Sequence, residues 1–169
     1  GMYVSIREYA AEKLKASGPA VEQAAEERHG RYFARFGADE ALEALSRDGG
    51  VRRRRALALD LDNLVAACRR AVGRGDVPIA VAAYRAAWEV LELQGPFALG
   101  VALGMQVLAL DEIAAPLRAT ALLTLALASW RTGRMDEARS GLFQALTLSR
   151  EIHDRRCEGR VLGYVGFLH

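Results

Sequence analysis

Apolar residues along this chain recur at steps of three and four, the spacing that lines one face of a helix, and almost nowhere alternate with polar ones. The pattern predicts about nine helices. Val4, Ile6, Tyr9, Ala10 and Leu14 mark a first helix over 3–16, entered from an extended Met2-Tyr3-Val4 and stopped by Ser17-Gly18-Pro19. Pro19 suits the first turn of a second helix, which runs through Val21, Ala24, Ala25 and Tyr32 to about Phe36. Asp39 is placed to cap a short third helix with Leu42 and Leu45, ended by Asp48-Gly49-Gly50. Leu57, Leu61, Leu64, Cys68 and Ala71 then form one stripe on a fourth helix over 51–72. Gly73-Arg74-Gly75-Asp76 stops that helix and caps the next; its Arg-Gly-Asp triplet is what such a turn requires rather than an adhesion signal. A fifth helix over 77–93 turns Ala80, Ala83, Tyr84, Ala87, Trp88 and Leu91 inward. Gln94-Gly95-Pro96 breaks it before a very apolar sixth helix over 97–110.

The most regular stretch is 117–152, read as two antiparallel helices joined at Thr132-Gly133-Arg134 after a start at Pro116. Ala121, Ala126, Ala138 and Ala145 are small where the two must touch, and Asp136 and Glu137 favour the positive end of the second helix's dipole. Part of this pattern occurs twice. Ala138, Leu142 and Ala145 follow Gly133 at five, nine and twelve residues, as Ala80, Tyr84 and Ala87 follow Gly75, an offset of 58. After His153-Asp154 a last helix over 155–168 carries Leu162, Val165 and Gly166 where Leu122, Leu125 and Ala126 stand 40 residues earlier. That is the pattern of tetratricopeptide-like antiparallel hairpins stacked into a right-handed superhelix, with the last repeat incomplete. A repeat cannot bury its face alone, so this end is expected to be sticky or artificially cut.

Composition narrows the class. Ala and Leu dominate and Pro is scarce, which favours an all-α fold, and 169 residues suffice for a real core. A net charge of +2 implies neither nucleic acid nor an anionic membrane. No apolar run is long enough to span a bilayer, so a soluble, cytoplasmic protein is expected. Cys68 and Cys157 read as small buried hydrophobes of a reducing compartment rather than a disulfide pair. Gly1 before Met2 looks like a residue left by tag removal.

Three N-terminal words come in a familiar order: Ser5-Ile6-Arg7-Glu8-Tyr9-Ala10, Arg28-His29-Gly30-Arg31-Tyr32-Phe33, and Leu61-Asp62-Asn63-Leu64-Val65-Ala66-Ala67. The chain resembles the region that follows the nucleotide-binding and winged-helix modules of LuxR- and AfsR-type bacterial signal-transduction ATPases, which end in a tetratricopeptide-like sensor. The resemblance implies that 1–50 close the winged-helix part and connect it to a repeat domain over 51–169. It departs at Arg52–Arg55, where such proteins commonly carry a Trp-Leu pair, and the chain has no G-x-x-x-x-G-K-[ST] loop.

Catalytic chemistry finds no footing. His29, His153 and His169 fall on different elements without ligand spacing, so no metal or cofactor is expected. Asp60 and Asp62, two apart on a helix, point to different faces; Asp62-Asn63 is better suited to tying its helix to a neighbour. Arg52 to Arg55 reads as a solvated face balanced by acids such as Asp48. Gly100 and Gly104 have the spacing of close helix approach, read as intramolecular packing ahead of a dimer seam. The groove of such hairpins is expected to present Thr120, Leu123, Leu127 and Trp130, with Asp62, Val65 and Arg69 in the earlier unit. Of these, Asp62, Arg69, Thr120, Leu127 and Trp130 are the candidate partner-binding residues. The function expected is a non-catalytic protein-interaction or effector-sensing module of a multidomain transcriptional regulator. Its partner is a protein or peptide, or else a small effector, with no direct nucleic-acid contact. The alternative is a stand-alone helical-repeat scaffold that self-associates between Arg155 and His169.

Overall fold

Glycine, proline and aspartate cut the chain into ten α-helices and one 3₁₀ turn, with no strand, among the residues described. The computed structural model describes the backbone of residues 2–166 and the side chains of residues 8–166. In order the helices are α1 (Met2–Ala16), α2 (Pro19–Ala34), the 3₁₀ turn Arg35–Gly37, α3 (Asp39–Ala44), α4 (Gly50–Leu59) and α5 (Leu61–Arg74). There follow α6 (Val77–Gln94), α7 (Phe97–Leu108), α8 (Ala115–Arg131), α9 (Met135–Glu151) and α10 (Arg155–Val165). Residues 167–169, part of the expected self-association segment, lie outside the described residues, as do the side chains of Val4 and Ile6.

Local signals place most boundaries. Gly75 and Gly133, at φ 70° and 78°, take the left-handed backbone that ends α5 and α8. The Asp76 carboxylate accepts from the Ile79 amide at 3.3 Å, and that of Asp154 accepts from the Arg156 and Cys157 amides at 3.1 and 2.9 Å. Four sequence expectations are corrected. The helix expected over 51–72 is two, parted at Asp60, whose amide turns back to the Leu57 carbonyl and whose carboxylate takes the Asn63 side-chain amide. Asp and Asn side chains compete with the helical ladder in this way, and Asn63 helps to close this joint. Asp39 does not cap α3: Ala38 holds the cap position and Asp39 is the first helical residue. The backbone is already helical at Met2, where an extended entry was expected. Asp48 meets the arginine run through its backbone carbonyl rather than its carboxylate, accepting from Arg53 at 2.6 Å.

The core follows α6, which touches α2, α4, α5, α7, α8 and the 3₁₀ turn. Both copies of the repeated spacing are buried: Ala80, Tyr84 and Ala87 in α6, Ala138, Leu142 and Ala145 in α9. The α6–α7 seam is tight. A Cβ at Gly100 would fall 2.6 Å from the Trp88 ring, and one at Gly104 would fall 2.5 Å from the Tyr84 hydroxyl. Gly100 and Gly104 are thus spent inside the fold. At the other edge α2 docks on α5 and α6 through Gly30 and Phe33, both buried, while Val21 and Tyr32 are exposed. Glu26 of α2 takes Arg70 and Arg74 of α5 at 3.1 and 3.2 Å.

Candidate functional site: a charged cleft between three helices

A single arginine interrupts the alanine-rich face of α6, and its surroundings define the most polar cleft described. Arg85 is only 13% exposed, in a helix with ten buried residues among its eighteen. A guanidinium cannot lose its proton to escape burial, so it must be paired. Its Nη2 donates to Asp39 Oδ1 at 2.6 Å, reaching from α6 to the first turn of α3. On the far side, Arg156 of α10 places Nη1 3.0 Å from the other oxygen, Asp39 Oδ2, and donates through Nη2 to Glu43. Asp39 and Glu43 stand one helical turn apart, which is why one guanidinium can hold both. The chain is thereby fastened to itself between residues 113 positions apart.

The cleft has a volume of about 330 Å³ and is also lined by Glu89, Arg160 and Tyr164. Its two ends differ in charge. Arg85, Arg156 and Arg160 all act on Asp39 of α3, whereas Glu89 and, outside the lining, Glu92 act on Tyr164 from the C-terminal half of α6. Glu89 is held by Arg54 of α4 at 3.2 Å. Glu92 is pushed up from the usual carboxylate range by burial and by its neighbour Glu89, against the pull of Arg131 and Arg54. Asp39 behaves oppositely. Burial works against its charge, but the Arg85 hydrogen bond and the charges of Arg85, Arg156 and Arg160 together hold it below its ordinary range.

A second cleft, of about 530 Å³, opens between α7 and α9 over a floor of Leu122, Leu125 and Ala126 from α8. It is the more apolar of the two, and Met105 on its rim is 59% exposed.

The five residues expected to meet a partner line neither cleft. Asp62 and Arg69 are exposed on α5. Thr120 is half-buried and its hydroxyl donates to the Pro116 carbonyl at 3.0 Å. Trp130 is half-buried against the core. Leu127 is corrected to a core residue, 5% exposed beside the fully buried Leu123, because α8 is apolar nearly all round and is covered on most of its faces. Arg85 and Arg156 were not singled out by sequence, and Asp39 was singled out only as a helix cap. The available signal was Arg85 itself, a charge amid Ala83, Tyr84, Ala86 and Ala87.

Among the described residues no group of three or more His, Cys, Asp and Glu side chains is placed to hold a metal ion. Cys68 and Cys157 are free and buried, and burial pushes the Cys68 thiol up to about 12. His29 is moved down from its ordinary value by burial first and then by the charge of Arg70, against a hydrogen bond with Asn63 and the charge of Glu26. Among the described residues no helix is long and apolar enough to cross a membrane. Compared with known protein families, curated proteins and solved structures, the chain matches none of them.

Proposed function

We propose that this chain is a non-catalytic interaction or sensing module built from tetratricopeptide-like hairpins, and that it belongs to a multidomain bacterial transcriptional regulator of the LuxR and AfsR type. The observation that carries the reading is the repeated spacing. Gly75 with Ala80, Tyr84 and Ala87, and Gly133 with Ala138, Leu142 and Ala145, play the same parts in α5–α6 and α8–α9: a left-handed turn, then small and bulky residues buried at fixed intervals. Helices two apart also touch, α5 with α7, α6 with α8 and α8 with α10, as stacked hairpins require. In this reading the cleft between α6 and α10 is the partner-binding face, a partner bound there biases attached nucleotide- and DNA-binding modules, and the protein works in the cytoplasm. The test is the native gene. An upstream P-loop and winged-helix segment in the same reading frame is the expected result; a frame with neither would overturn the regulator assignment.

A second reading, self-association through α10, is favoured by one comparison. Leu162 is 44% exposed, whereas Leu122, which holds the equivalent place in α8, is 8% exposed. Light scattering decides it: a dimer that Leu162→Glu dissociates is expected, and a clean monomer at high concentration would rule it out.

A further inference from the structure

The helix that reaches into the charged cleft is unlike every other helix that lines it. α3 has six residues and no buried residue among them, no side chain caps its N-terminus, and such a length cannot sustain a helix by itself. What α3 presents to the cleft is a pair of carboxylates one turn apart, Asp39 and Glu43. Opposite stand three guanidiniums from two helices, Arg85 of α6 and Arg156 and Arg160 of α10. Arg156 serves both carboxylates, the buried Nε of Arg85 has no hydrogen-bond partner, and Arg160 acts on Asp39 only through its charge. Cationic capacity at this end of the cleft therefore exceeds what α3 uses.

We propose that α3 is a built-in occupant of a recognition site for acidic peptides, and that a partner segment carrying two carboxylates one helical turn apart displaces it from Arg85, Arg156 and Arg160. This rests on the reading of the α6–α10 groove as the partner-binding face and adds its chemistry and its regulation. Planar guanidiniums in a shared cleft suit paired carboxylates, since each can hold one through two parallel hydrogen bonds. Tethering gives α3 a high effective concentration at the site, so an external acidic segment competes poorly until α3 is released. Release would also free the link between the N-terminal helices and α10, so binding would loosen the ends of the chain from one another. That is a mechanical output from a recognition event.

The test uses the whole chain and a fluorescent peptide copying residues 36–48, which includes Asp39 and Glu43. Anisotropy is read for the wild type, for D39N/E43Q, whose own α3 no longer competes, and for D39N/E43Q/R156E. At least tenfold tighter binding by D39N/E43Q than by the wild type is expected. At least a tenfold loss on adding R156E is expected too, with no binding of the same peptide made neutral at its two acidic positions. Equal binding by wild type and D39N/E43Q, still abolished by R156E, would overturn the gate while leaving the groove as a binding face. No binding by either form would overturn the acidic-partner assignment and leave the interaction-module reading to its own genetic test. Should D39N/E43Q not fold, amide exchange of the wild type with excess peptide decides: faster exchange in α3 alone is expected, and unchanged exchange there refutes displacement.

Discussion

Helix α6 makes two seams of opposite character. Against α7 it meets Gly100 and Gly104 with Trp88 and Tyr84, aromatic surface laid on bare backbone at distances that leave no room for a methyl group. Against α3 and α10 it offers Arg85, and contact is made by ion pairs across a cleft of about 330 Å³. The first seam has one arrangement, because close-packed apolar surface gains nothing from an alternative. The second can exchange partners, because any carboxylate of suitable spacing can replace those of Asp39 and Glu43. A helix that is core on one side and socket on the other can hold a binding site at fixed geometry while its occupant changes.

The difference predicts a ladder of effects. Gly100→Leu should be the most damaging, costing about 3 kcal/mol or more in urea unfolding, because the Trp88 ring must move before even the Cβ fits; unchanged stability would mean the seam is loose. Arg85→Met should cost about 1.5–2 kcal/mol, since it removes a charge-assisted bond from a mostly buried site but leaves Asp39 its Arg156 partner. Gly73→Ala, in a helix position with open space around it, should instead stabilise by about 0.5–1 kcal/mol in the same assay. Arg156→Glu should change global stability least, by about 1 kcal/mol at most, because its side chain is half exposed and screened by water. A large loss there would place α10 docking, rather than groove occupancy, on this contact.

Acid sharpens the same contrast. The folded state holds Asp39 below its ordinary value of 3.8, so its contribution is present above that value and is lost as pH falls through the lower folded one. Facing it are Arg85, Arg156 and Arg160, which stay charged throughout, and Glu43 beside it on α3. The wild type should therefore lose more stability than Asp39→Asn between pH 4 and about pH 2, measured as the difference between their unfolding temperatures. Parallel curves would show that the Asp39 charge does not hold the cleft.

What the sequence made legible was local. Gly75, Gly133, Asp76 and Asp154 announce their turns because each satisfies or relieves backbone groups within four residues of itself. The stripe from Leu57 to Ala71 is also legible: all but Leu61 are buried, and it survives the break at Asp60. The break itself is not visible in apolar spacing, because Leu57, Leu61 and Leu64 keep step across it. The charged cleft was least legible. Its partners lie 46 and 113 residues apart, and no periodicity links Asp39 to Arg85 or Glu43 to Arg156. The groove residues expected on α8 failed at Leu127 for the converse reason: helical spacing gives a face, and only the packing of neighbouring helices says whether that face is covered.

Amide hydrogen exchange against salt separates the two seams most directly. Raising ionic strength from about 0.1 M to about 1 M shortens the screening length from roughly 10 Å to 3 Å and weakens contacts made by charge while sparing those made by apolar surface. Protection of residues 39–44 should fall with added salt while that of residues 77–94 and 97–108 holds. Loss of protection in all three segments together, or in none, would contradict an exchangeable α3 on a fixed α6.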